Sequence, residues 1–130
     1  MAKIRTTELP EPRRLTASER AVLNRLVAHA ACPELVAQAT SAQVVAKCDC
    51  GCGSVGLRTN GTALSRTTMM RLSTTGRDDW FSIQATSTAP EVQVVVHVVA
   101  GLLHELEVFA GEGVRVDVPR PEALDHFTLF

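Results

Sequence analysis

The stretch Val92–Val118, and within it the run Val94-Val95-Val96-His97-Val98-Val99-Ala100-Gly101-Leu102-Leu103-His104-Glu105-Leu106-Glu107-Val108-Phe109, constrains the fold more than any other part of the chain. β-Branched and other apolar residues crowd both halves of the run, and Ala100-Gly101 between them suits a two-residue turn. The pattern predicts an antiparallel hairpin. The rest of the chain is expected to supply cover for it or further strands beside it.

Upstream, residues 1–14 carry Pro10 and Pro12 without periodicity and read as an extended lead-in. Thr16-Ala17-Ser18-Glu19 is a capping box: the Thr16 hydroxyl accepts from the Glu19 N–H while the Glu19 carboxylate reaches back to the Thr16 N–H. Val22, Leu23, Leu26, Val27 and Ala30 then fall on one helical stripe, so a helix is expected over Ala17–Ala30. Pro33 suits the first turn of a second helix, Pro33–Ala39. In Ala42–Cys50 the period becomes two, with Ala42, Val44, Ala46, Cys48 and Cys50 on one face of a strand. Gly51 and Gly53 bracket a turn, and Val55, Leu57 and Thr59 open the next strand, closed by Asn60-Gly61.

Residues 62–79 are rich in Thr, Ser and Arg, with Met69, Met70 and Leu72 as anchors, and read as an irregular edge strand between mobile loops. Trp80–Thr88 alternates again and Pro90 ends it. Gly111-Glu112-Gly113 marks another turn, and Val114, Val116 and Val118 alternate with Arg115 and Asp117 as a last strand. Beyond Pro119-Arg120-Pro121, residues 122–130 form a tail or a single helical turn at Glu122–Phe127. The expected fold class is α+β, with two N-terminal helices packed on a mostly antiparallel meander sheet of five or six strands. Residues 15–121 would make one domain.

Composition narrows function. With 130 residues, 45% of them apolar and 21% charged, the chain is long enough for its own core and is not of a disordered type. A net charge of −1 gives no bulk attraction for nucleic acid or anionic membrane, and one Trp, four Phe and no Tyr make a base-stacking platform improbable. The N-terminus shows no apolar secretory region and Val94–Leu103 is far shorter than a membrane helix. A cytoplasmic location is expected, where the four cysteines would be free thiols or metal ligands rather than disulfides.

The most distinctive local feature is Cys48-Asp49-Cys50-Gly51-Cys52-Gly53. Thiolates are soft ligands suited to zinc or copper(I), and Cys48, Cys50 and Cys52 converge on one ion if the chain turns there. The one-residue spacing departs from the separated pairs of structural zinc sites, and the fourth ligand would come from Cys32, His29, His97, His104 or His126. Buried small hydrophobes at a strand end are the competing account, and the commoner one.

A tight Ala100-Gly101 turn without irregularity would set His97 directly across from His104, a pair able to share a metal or a proton. A one-residue bulge would put them on opposite faces. Glu105 and Glu107, roughly 7 Å apart along one strand face, have the chemistry of a glycosidase acid–base pair, but an acidic solvent face is the commoner cause. No G-x-S-x-G elbow accompanies Ser54 or Ser65, no phosphate loop is built from Gly51, Gly53 and Gly56, and Arg58, Arg66, Arg71 and Arg77 read as a solvated loop.

Taken together, Cys48-x-Cys50-Gly51-Cys52-x-Ser54-Val55-x-Leu57 and Gly101-x-Leu103-x-x-Leu106-Glu107-Val108-Phe109 resemble a group of small bacterial proteins with a CxCGCxS turn and a GxLxxLEV hairpin. The resemblance spans about residues 15–121 and implies an α+β domain, with no activity and no catalytic residue carried over. The expectation for function is a non-enzymatic domain that binds a protein partner or itself through its sheet, as toxin-neutralising immunity proteins do by analogy. No cofactor is needed for that role; the alternative is a zinc-class metal protein using Cys48, Cys50 and Cys52 with a histidine.

Overall fold

In the computed structural model, which describes residues 6–88, 91–111 and 114–130, the described part of the extended lead-in is an edge strand, β1 (Thr6–Arg14). Helices α1 (Ala17–His29) and α2 (Pro33–Ser41) follow, then β2 (Gln43–Cys48) and β3 (Val55–Arg58). A third helix, α3 (Arg66–Leu72), precedes β4 (Trp80–Thr88), β5 (Glu91–Val99) and β6 (Leu102–Phe109). A 3-10 turn at Pro121–Ala123 leads into β7 (Leu124–Leu129). The seven strands form one sheet in the order β1-β2-β3-β6-β5-β4-β7, every pair antiparallel.

The α+β class and the first two helices stand, and the capping box is present with Thr16 accepting from Glu19 N–H. Three expectations are corrected. The sheet is not a simple meander: β4, β5 and β6 form one, but the other side of β6 pairs with β3, distant in sequence, and β7 returns to the edge beside β4. Residues 66–72 are helical because the Ser65 hydroxyl caps the Thr68 N–H and because Met69 and Leu72, three apart, both enter the core. Val114–Val118 forms no strand of the sheet, since both sides of β6 are already taken by β3 and β5. The turn expected at Glu112-Gly113 and the break at Pro90 lie outside the described residues.

All three helices feed a single core. Val22, Leu23, Leu26 and Val27 of α1, Leu35 and Ala39 of α2 and Met69 and Leu72 of α3 meet Phe81, Ile83 and Ala85 of β4, Val94, Val96 and Val98 of β5 and Leu103, Leu106 and Val108 of β6. Gln38, fully buried, ties α2 to the hairpin: its amide donates to the Thr62 and Gly101 carbonyls at 2.8 Å each, and its carbonyl oxygen accepts from Leu103 N–H at 2.9 Å. The hairpin turn has φ of 51° at Ala100 and 85° at Gly101, the left-handed pair of a type I′ turn. A Cβ on Gly101 would lie 2.6 Å from the Leu64 carbonyl oxygen, so only glycine fits.

Two bulges decide which side chains leave the core. On β6 the core-facing residues Leu103 and Leu106 are three apart, an odd step for a strand. The register accordingly shifts between His97 and Val98, pairing Val98 with Leu103 and His97 with Glu105. On β2, Val44 pairs with Leu57 but Ala46 pairs with the adjacent Gly56, so Val44 and Ala46 sit on opposite faces. The expected single face from Ala42 to Cys50 is thereby broken. Ala46 and Cys48 are buried, each 7% exposed, yet stand outside the main core.

Opposite the helices the sheet has a second face. Register places Trp80, Ser82, Gln84 and Thr86 of β4 there, beside Val99, His97, Val95 and Gln93 of β5 and Leu102, Glu105, Glu107 and Phe109 of β6. Among the described residues no helix packs on it; α1, α2 and α3 all bury their apolar side chains in the core on the other side.

Candidate functional site

Two clusters of chemically capable side chains lie off the core. The first is the thiol turn. Gly51, at φ 81°, reverses the chain and its N–H donates to the Cys48 carbonyl at 3.3 Å. Cys48 N–H donates to the Ser54 carbonyl at 3.0 Å, closing the turn. Gly53 N–H donates to the Val116 carbonyl at 2.7 Å, and a Cβ there would meet the Val118 backbone nitrogen at 2.9 Å. Ser54, 1% exposed, anchors the far end: its hydroxyl accepts from Val108 N–H at 2.8 Å and faces the Val108 carbonyl at 3.2 Å. The Thr7 hydroxyl donates to Asp49, tying β1 to the same turn.

This framework brings the Sγ atoms of Cys48, Cys50 and Cys52 within 4.8 Å of one another. Cys50 and Cys52 are 2.9 Å apart, and the backbone N–H groups of Cys50 and Cys52 point at the sulfurs of Cys48 and Cys50, each at 3.4 Å. Burial, reinforced by the Cys50 sulfur, pushes the Cys48 thiol up to about 12. Hydrogen bonds from Cys48 and then Cys52 hold the exposed Cys50 thiol below its ordinary value.

Among the described residues no histidine joins these thiols. His97 belongs to the second cluster, His104 is the residue displaced by the β6 bulge and is exposed, and His126 is exposed beside Asp125. His29 packs on the Phe127 ring at 5.6 Å. Cys32 is buried at the start of α2, with its thiol 3.2 Å from the Glu34 carboxylate and raised chiefly by burial. The bulge is the irregularity that separates His97 from His104, and among the described residues none of the candidate histidines lies beside the thiols.

The second cluster was legible only in pieces. His97, Glu105 and Glu107 bring one ligand atom each within 4.8 Å of one another on the second sheet face. Glu105 and Glu107 are not the solvent-facing acids expected: Glu107 is 7% exposed and Glu105 half-buried. His97 Nε2 is 2.8 Å from Glu107 Oε1, and Trp80 Nε1–H donates to His97 Nδ1 at 3.2 Å. An indole N–H only donates, so Nδ1 accepts and the ring hydrogen sits on Nε2, which donates to Glu107. Both ring nitrogens are thereby occupied, which leaves no lone pair for a metal and no free base. Burial, with the charge of Glu107 adding to it, raises the Glu105 carboxyl above its ordinary value against the opposing pull of His97. Arg77 lies over the Trp80 ring at 5.2 Å and bonds Asp79. Sequence alone offered no sign of Trp80 in this site, because its partner is 17 residues away.

The cluster has an apolar surround. Val99 and Leu102, paired at the turn end of the hairpin, are 37% and 36% exposed, and Phe109 at the other end is 44% exposed. Elsewhere, a groove of about 490 Å³ lies among Arg14, Arg20, Thr40, Ser41 and Gln43, with the Arg20 guanidinium already donating to the Ala39 carbonyl. No helix of the described residues is long and apolar enough to cross a membrane. No protein-family model matches the chain, and neither a curated protein nor a solved structure matches it significantly.

Proposed function

We propose that this protein is a non-enzymatic binding module whose second sheet face docks a basic protein partner. One observation carries the reading: Glu105 and the His97-bound Glu107 lie together on the sheet face that no described helix covers, near exposed Val99, Leu102 and Phe109. An interface of this kind combines apolar anchors with a charge that selects the partner. A cationic side chain projecting from the partner would meet Glu105 and Glu107, while Trp80, Val99 and Leu102 take its apolar surroundings. Self-association through the same face is disfavoured, because a two-fold contact sets the two acidic centres near each other. Immunity proteins that neutralise basic toxins work in this general manner, an analogy of class.

The test is partner capture from the source cell with wild-type protein and with the face variant Glu105→Lys, beside Glu8→Lys on β1 as a distant control. The partner expected is basic, binds the wild type and the Glu8 variant alike, loses about tenfold or more affinity for the Glu105 variant, and weakens with added salt. Equal binding by all three proteins, or a concentration-dependent dimer that the Glu105 variant abolishes, overturns the proposal.

A further inference from the structure

We infer that Cys48, Cys50 and Cys52 form a site for one cuprous ion, bound by three thiolates. Three sulfurs around a single ion at ordinary metal–thiolate distances stand roughly 4 Å apart, and these three lie within 4.8 Å of one another. The Cys50–Cys52 distance of 2.9 Å needs to open by about an ångström, a side-chain rotation on an exposed turn.

The surroundings are those of a metal turn rather than of core packing. The β2 bulge moves Cys48 off the face of Val44, outside the main core, so burial against the helices does not account for it. Cys50 is exposed and Cys52 half-exposed, which is unusual for cysteines that serve as hydrophobes. The backbone N–H groups of Cys50 and Cys52 are aimed at sulfur, where they stabilise thiolate charge. Gly53, Ser54 and Asp49 tie the turn to Val116, Val108 and Thr7, so the loop is ordered before an ion arrives.

Donor type and number select the ion. Soft thiolates favour copper(I) and zinc, but a closed zinc site takes four ligands in a tetrahedron. Among the described residues no histidine or carboxylate joins the three sulfurs, and the Ser54 hydroxyl beside Cys52 is held by Val108. Three soft donors without a fourth match a trigonal cuprous ion. Binding releases the protons that the thiols carry to solvent and transfers no electron.

The experiment is an anaerobic titration of fully reduced protein with Cu(I), delivered as its acetonitrile complex against a chromophoric Cu(I) chelator. Stoichiometry is read optically and the ligand shell by X-ray absorption. Expected are one copper per chain, three sulfur neighbours, and protection of Cys48, Cys50 and Cys52 from alkylation. Cys50→Ser and Cys52→Ser, at exposed or half-exposed positions, should fold as the wild type by circular dichroism and each weaken Cu(I) at least about tenfold. Cys32→Ser should bind as the wild type. Unchanged Cu(I) affinity in the Cys50 and Cys52 variants overturns the site. Preferential retention of zinc, with a tetrahedral cobalt(II) spectrum on substitution, overturns the assignment to copper, as does a copper with only two sulfur neighbours.

Discussion

His97 holds a buried carboxylate and is held by the chain's only tryptophan, so substitutions there should be costly. His97→Ala leaves Glu107 in place without its donor, and a loss of about 2 kcal/mol is expected in urea denaturation. Trp80 fluorescence should change in the same variant, because the indole loses its acceptor. Glu105→Gln should act in the opposite sense. The folded chain holds the Glu105 proton more tightly than the unfolded chain, so its contribution is fully present at acidic pH and is lost as pH rises through the raised value. At neutral pH the glutamine variant should therefore be the more stable, by about 1 kcal/mol or less given that the group is half-solvated, with the difference closing below the ordinary carboxylate range. Thermal melts of both proteins between pH 4 and about 8 check this.

Among elements, the start of α1 and the contacts of α2 carry the clearest expectations. Thr16 accepts from Glu19 N–H at 3.1 Å, the Glu19 carboxylate accepts from Thr16 N–H at 2.8 Å, and Arg13 bonds the same carboxylate at 2.9 and 3.0 Å. Burial alone would raise the Glu19 carboxyl, but Arg13 and the Thr16 N–H outweigh it and lower the value. Its stabilisation is present above the unfolded carboxylate range and lost as pH falls through the lowered value. Thr16→Ala should cost about 1 kcal/mol, and Glu19→Gln should flatten the acid limb of the stability profile. Gln38→Leu removes three bonds to Thr62, Gly101 and Leu103 and leaves their backbone groups unpaired, so a loss of about 3 kcal/mol is expected by denaturant titration.

For the molecule as a whole, β7 closes one edge of the sheet although it lies in what the sequence suggested was a tail. Leu124 is 4% exposed, and residues 124–129 pair with β4. Deleting residues 122–130 should bare the β4 edge, lower the melting temperature by several degrees or more, and promote association. Removal of a loose tail would do neither.

What the sequence determined by itself was local: the capping box and stripe of α1, Pro33 opening α2, the alternation of Trp80–Thr88, and the valine hairpin around Ala100-Gly101. Each depends on neighbours a few residues apart, so spacing reveals it. The odd step from Leu103 to Leu106 also encoded the bulge that separates His97 from His104, although alternation elsewhere in the run concealed it. Tertiary structure alone decided the rest. Helix α3 forms despite Thr67 and Thr68 because the core takes Met69 and Leu72; Val114–Val118 alternates like a strand but finds no free neighbour; β7 pairs with a strand about forty residues earlier in the chain. The acidic cluster follows the same logic, since Trp80, His97, Glu105 and Glu107 become neighbours only through strand register. Alternation fixes that a side chain leaves the backbone on one side or the other, and only pairing and packing fix which side is buried and what it meets there.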